Sequence, residues 1–190
     1  MSGEGTPRAR ADPEEKRRVH ARLRAAALDR FGPALGFSER ELALNASGRL
    51  SFRQRVSSGA RGLFWAVTSL LAWAWVIEVA VTVFGPGNHR GLVGALLGIP
   101  VIVAVSGFLA LRSADNWRDA VGGRAAQMLG PLRHATTKTR RGTVVDWLEC
   151  GPLWFRAPDG VFGAIEPKVR YRVYYTSRTH RLLSLERAEA

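Results

Sequence analysis

LFWAVTSLLAWAWVIEVAVTVF, residues 63–84, holds one ionisable side chain, Glu78. As an α-helix rising 1.5 Å per residue it reaches about 33 Å, enough to cross the ~30 Å hydrocarbon core of a bilayer. A second run, LVGALLGIPVIVAVSGFLAL at residues 92–111, carries no charge and reaches about 30 Å. Between them lies GPGNHRG, residues 85–91. Its helix breakers and short length predict a tight connection, so the two runs are expected to pair as an antiparallel transmembrane hairpin. No secretory signal peptide precedes the first run in this chain, so that run is expected to direct insertion itself.

The basic residues set the expected orientation. Of 28 Lys and Arg, 13 lie in residues 1–61, one (Arg90) in the connection and 14 in residues 112–190. Positive charge is retained on the cytoplasmic side, so both termini are expected there, with the chain a multi-pass protein of the plasma membrane of bacterial type. Anionic lipid head groups near the cytoplasmic arginines are the first expected partner. The chain has 190 residues, a net charge of +12 and 46% hydrophobic residues. These averages conceal charged flanks around an apolar centre, a pattern that excludes a disordered polyelectrolyte. Of the basic residues 25 are Arg, a bias that a GC-rich genome produces as readily as selection for guanidinium chemistry. Arginine content alone is therefore not read as phosphate recognition.

Within the hairpin, Gly94 and Gly98 form a GxxxG spacing, a candidate helix-packing site either inside the hairpin or between two copies in a homo-oligomer. Ala66, Ser69 and residues 72–74 offer small opposing surface. Trp65 and Phe84 fall where interfacial aromatics belong, and Pro100 predicts a kink. Glu78 lies about 9 Å from the outer end of its helix. An intramembrane carboxylate is a candidate proton or cation site, although a neutral or locally paired group near His89 and Arg90 explains it better.

Residues 1–11 read as disordered. Asp12, Pro13 and Glu15 then predict a capped helix that ends at Gly32 and Pro33, with Val19, Leu23, Ala27 and Phe31 along one narrow side. That side is expected to lie on anionic lipid, bind a partner helix or dock loosely. Ser38 with Glu41 and Ser51 with Gln54 predict two further capping boxes. LNASGRLSFRQ between them has the turn residues of a calcium loop but no carboxylate ligand, so a simple turn is expected.

After Trp117 short apolar runs alternate with turn residues, and six strands are expected: residues 124–137, 143–150, 152–157, 160–165, 169–176 and 181–186. In VRYRVYYT, period two puts Val169, Tyr171, Val173 and Tyr175 on one face. Arg170, Arg172, Tyr174 and Thr176 fall on the other. Arg170, Arg172 and Tyr174 make the candidate partner surface.

LNASGRLSFRQ, a two-span hairpin and the ending YRVYYTSRTHRLLSLE together resemble a group of uncharacterised bacterial two-pass integral membrane proteins with a short cytoplasmic β domain. The resemblance covers most of residues 45–190 and implies architecture alone.

The sequence thus predicts a membrane α-helical hairpin plus a small all-β cytoplasmic domain and a helical basic N-terminal arm. Residues 1–61 form the arm, 62–112 the hairpin and 113–190 the β domain. Cys150, the one cysteine, excludes a disulfide framework. With His134, His180 and Asp146 it forms no nucleophile signature, and the scattered histidines form no metal spacing. No cofactor, metal or catalytic residue is expected. The expected function is a non-enzymatic scaffold or partner-binding protein engaging an unknown protein partner. The alternatives are a small transport or channel subunit using Glu78 and a membrane-tethered nucleic-acid binder. Nucleic acid is the less favoured ligand, because Trp147, Trp154, Phe155 and the tyrosines more commonly fill a small β core.

Overall fold

The computed structural model describes residues 13–84, 92–139 and 142–188, with the backbone alone at 13, 15–17, 20, 84 and 92–97. The expected disorder of residues 1–11, the Asp12 cap and the connection with His89 and Arg90 lie outside the described residues. So do the side-chain surroundings of Phe84 and Gly94.

The elements run α1 (Pro13–Leu35), α2 (Glu39–Ala46), α3 (Phe52–Phe84), α4 (Leu92–Gly122), β1 (Ala125–Pro131), β2 (Arg133–Lys138), β3 (Val144–Cys150), β4 (Leu153–Arg156), α5 (Asp159–Phe162), β5 (Arg170–Thr176) and β6 (Leu182–Arg187). They make two three-stranded sheets, ordered β1-β5-β6 and β2-β3-β4. Two compact units result: Met1–Ala43 with Gln127–Tyr174 and Leu182–Ala190, and Leu44–Ala126 with Tyr175–Arg181.

The second unit contains the hairpin. At 33 and 31 residues, α3 and α4 extend to about 50 and 46 Å, and both are long and apolar enough to cross a membrane. Only 11% of the most apolar window of each is buried, whereas the core helix of a soluble protein buries such a surface. Both helices outrun the apolar stretches, continuing through residues 52–62 and 112–122, so the boundaries at 61 and 113 cut through continuous helix.

A ladder with a seven-residue step joins α3 to α4. The Arg55 side chain donates from Nε to the Ala120 carbonyl at 2.7 Å. Ser113 Oγ donates to the Gly62 carbonyl at 2.8 Å, and Ser69 Oγ donates to the Ser106 carbonyl at 3.1 Å. Seven residues is two helical turns, so each rung returns to the same seam, as in left-handed helix pairs. Small residues admit the close approach. A Cβ at Gly62 would lie 2.9 Å from Trp117 Cδ1, whereas one at Gly98 would meet no atom of the described residues within 4 Å. The expectation that Gly98 packs against α3 within the hairpin is therefore corrected: the seam among the described residues runs through Gly62, Ser69, Ser106 and Ser113. Of the small α3 residues expected to oppose α4, Ser69 is buried and Ala74 is exposed.

The first unit is built on both sheets. β2 pairs antiparallel with β3 (Ala135 opposite Trp147) and β3 with β4 (Leu148 opposite Phe155). Leu148, Phe155, Val173 and Leu185 are fully buried. α1 belongs here rather than in a separate arm. Ala27 and Phe31, the C-terminal half of its apolar stripe, are buried, and Phe31 meets Tyr171 edge-on at 5.9 Å. The reason is burial: β6 is apolar or polar-paired on both faces, so its sheet needs a helix against it. α1 also continues through Gly32 and Pro33, ending at Gly36 with φ +68°. Pro33 removes one amide donor near the end of the helix, and Gly36 supplies the left-handed stop.

Two strand expectations change. The run at 124–137 divides into β1 and β2 at Leu132, and GVFGAI is not a strand: residues 159–162 form α5. A Cβ on Gly160 would lie 3.3 Å from Ala34 Cβ, so the missing side chain lets α5 pack on α1.

Candidate functional site

Two polar constellations stand out, one in each unit. In the hairpin unit, the turn after β5 closes on the end of α4. Asp119, 1% exposed, accepts from Arg178 N–H at 3.1 Å, Thr179 N–H at 3.0 Å and Thr179 Oγ1 at 2.7 Å, with Ser177 Oγ at 3.4 Å. Arg181 beyond the turn donates to Ser57 Oγ on α3 at 3.2 Å; burial lowers its pKa, and the charge of Arg61 adds to the effect. LNASGRLSFRQ supplies the other side of this joint. α2 ends in a turn at Gly48, φ +77°, the Leu50 amide donates to the Gly123 carbonyl at 2.8 Å, and the Ala125 amide donates to the Gly48 carbonyl at 2.9 Å. Ser51 and Gln54 then cap α3 reciprocally at 3.0 and 3.2 Å, as Ser38 and Glu41 cap α2 at 3.0 and 3.3 Å. Both the 44–54 stretch and the turn at 177–179 thus bond to the end of α4 and the residues just after it.

In the first unit, a groove of about 820 Å³ runs between the β1–β2 corner and the segment from α5 to β5. Leu132, Phe162, Ile165 and Pro167 form its apolar lining, and Lys168, Arg170 and His134 its basic side. His134 is held in place: Asp146 lies 2.8 Å from its Nε2, and its ring packs 4.5 Å from that of Phe162. The bond to His134, with a second from Thr136, keeps the Asp146 carboxyl below the usual carboxylate range. Glu166, in the same lining segment, turns to Arg30 and to Arg187 at 3.4 Å. The Arg30 bond lowers its pKa first, and the Arg187 charge adds to this. Asp146 and Glu166 are therefore already engaged. Lys168 and Arg170 are exposed, with no ion-pair partner among the described residues. Arg133 also reaches the groove, but its strand position puts it on the opposite sheet face, beside Glu149. Lys168 has φ +67°, a conformation uncommon outside glycine.

Comparison with protein families, curated proteins and solved structures finds no match for this chain. The chemistry of the site has to be read from its own side chains.

The expected partner surface of Arg170, Arg172 and Tyr174 divides. Arg170 opens on the groove. Tyr174 is 0% exposed, and its hydroxyl donates to Glu186 at 2.5 Å while Arg172 donates to the same oxygen at 2.9 Å. Burial, and then the Glu186 bond, raise the Tyr174 pKa. Tyr174 is withdrawn from any partner surface because β5 is buried at this point, Val173 and Tyr174 on opposite faces both being inaccessible. The same burial removes Tyr171 and Tyr174 as base-stacking platforms; Trp154 and, in part, Trp147 stay accessible on the outer face of β2-β3-β4. Glu78 is exposed on α3, and among the described residues its carboxylate has no hydrogen-bond or ion-pair partner.

His134 and Asp146 form a dyad, but Cys150 is fully buried and burial raises its thiol pKa. Thus the dyad orients an imidazole toward the groove without a thiolate to activate. No cluster of three potential metal ligands occurs among the described residues. Sequence spacing missed the groove, which joins residues about 30 apart. The local signal was the run IEPKVR, where two cations follow a proline at the mouth of a strand.

Proposed function

We propose that this chain is a two-pass plasma-membrane protein whose cytoplasmic domain is a non-enzymatic binding module for an acidic partner. The groove lined by Lys168, Arg170 and His134, beside which Asp146 and Glu166 are already paired, carries this reading: the charge of its exposed cations favours an anionic group. The 13, 1 and 14 distribution of basic residues supports cytoplasmic termini, and the outward apolar faces of α3 and α4 support insertion.

Topology is tested by cysteine labelling in intact cells. Asn88→Cys should react with an impermeant thiol reagent and Lys138→Cys should not; the reverse pattern defeats the orientation. Cys150 gives a silent background because it is buried. Binding is tested by purifying the full chain in mild detergent. A protein partner should be lost with Lys168→Gln/Arg170→Gln and kept with Arg156→Gln, whose exposed side chain belongs to a sheet face outside the groove. Equal recovery in both variants defeats the groove as the partner site.

A further inference from the structure

The shape of the groove says more than its charge. At about 820 Å³ it lies in the range of small-molecule sites, roughly 300–1,000 Å³, and is far larger than a bare ion needs. Its lining is segregated: Phe162, Ile165 and Leu132 supply apolar surface, and Lys168 and Arg170 supply donors. A ligand matching both must be an amphiphile with an anionic head. A carboxylate would neutralise one of two fixed cations, whereas a phosphate ester brings up to two negative charges and the several acceptor oxygens that an arginine fork and a lysine ammonium can share. His134, with its Nε2 bound to Asp146, adds ring surface to the lining. Lys168 keeps its left-handed backbone at a position where glycine would fit without strain, which sets a cation rather than a bare turn at the groove edge.

We propose that the groove binds a phosphate ester carrying an apolar body, with the head on Lys168 and Arg170 and the apolar part along Phe162 and Ile165. This rests on reading the groove as the binding site of the chain and names the chemical group recognised there. A membrane phospholipid head group and a soluble phosphate ester share that chemistry.

The experiment uses the full chain in phosphatidylcholine nanodiscs, titrated calorimetrically with phenyl phosphate, inorganic phosphate and benzyl alcohol. Phenyl phosphate should bind at least tenfold more tightly than inorganic phosphate, and benzyl alcohol should give no saturable heat. Lys168→Gln/Arg170→Gln should weaken phenyl phosphate at least tenfold without lowering the melting temperature, and Phe162→Ala should narrow its advantage over inorganic phosphate. Arg156→Gln should change neither. In nanodiscs doped with phosphatidic acid, weaker apparent binding than in discs carrying equal charge as oleate identifies the lipid head group as the source; equal binding in both identifies a soluble ester. The proposal is overturned if phenyl phosphate shows no advantage over inorganic phosphate or if the double variant retains its affinity. Should phenyl phosphate fail while a protein partner is still lost from the double variant, the partner-binding reading stands and the phosphate assignment falls.

Discussion

At the joint around Asp119, a buried carboxylate is surrounded by donors; at the groove around Lys168, exposed cations share an apolar lining, and Asp146 and Glu166 beside it are committed to other partners. Both sites concentrate charge, yet they do opposite work. A desolvated charge survives only when its hydrogen bonds are made inside the protein, so the Asp119 cluster fixes structure. An exposed cation needs no internal partner to be stable, so the free charge of the groove is available for binding. Satisfaction, more than charge density, separates a structural polar cluster from a recognition site.

The sharpest way to break this comparison is Asp119→Ala. It strands the amides of Arg178 and Thr179, and should cost about 1–3 kcal/mol, read as a clear fall in melting temperature of the detergent-solubilised chain. A change below about 0.5 kcal/mol would show that the joint tolerates unpaired donors and that the contrast is false.

Gly62→Ala comes next. Its new methyl group meets the Trp117 ring, so overpacking should cost about 1–3 kcal/mol, whereas Gly98→Ala, in open space, should be neutral or stabilising by up to about 1 kcal/mol. Crosslinking of a Gly98→Leu variant asks a separate question: loss of a crosslinked dimer there, with retention in Gly62→Ala, would identify the Gly98 face as a contact between copies.

Tyr174→Phe should give the smallest effect at neutral pH, about 1 kcal/mol, as one hydrogen bond to Glu186 is lost. Its signature lies in alkali. The folded-state pKa of Tyr174 is raised above an unfolded value of about 10. Its contribution is therefore complete below pH ~10 and is lost as pH rises from there toward the folded-state pKa. Wild-type stability should fall through that window, and the fall should be shallower in the variant. Parallel curves would remove Tyr174 from the titration.

Local chemistry in the chain is legible where one segment decides the outcome. The two apolar runs follow from hydropathy and length, and the Ser38–Glu41 and Ser51–Gln54 caps from a four-residue pattern. Where distant segments decide, it is not. GVFGAI has the apolar content of a strand, but α5 depends on the close approach of Gly160 to Ala34, about 125 residues earlier. The alternation in VRYRVYYT sorts residues onto two faces correctly in period, yet says nothing about what covers each; Tyr174 pointed at a partner surface only until Glu186 claimed its hydroxyl. Among the site residues, Arg170 stood out from its strand position. Lys168 and His134 did not, because the groove exists only once β2 and the α5–β5 segment are side by side. The seven-residue ladder was present as Arg55, Gly62 and Ser69 on one helix and Ser106, Ser113 and Ala120 on the other, and was masked by the more familiar GxxxG.

The packing of α1 against β6 has a consequence for how the molecule is made. Roughly 150 residues separate the two elements, so at synthesis rates of 5–20 residues per second the first helix waits on the order of 10–30 s for its strand. During that interval Phe31 has no Tyr171 to meet, while the α3 and α4 sequences have already emerged. Nascent chains stalled before residue 182 should therefore expose the apolar stripe of α1 to chaperones and proteases, and protection of α1 should arrive in a single step when β6 is released. The domain is closed by its last strand, and quality control has a window that ends there.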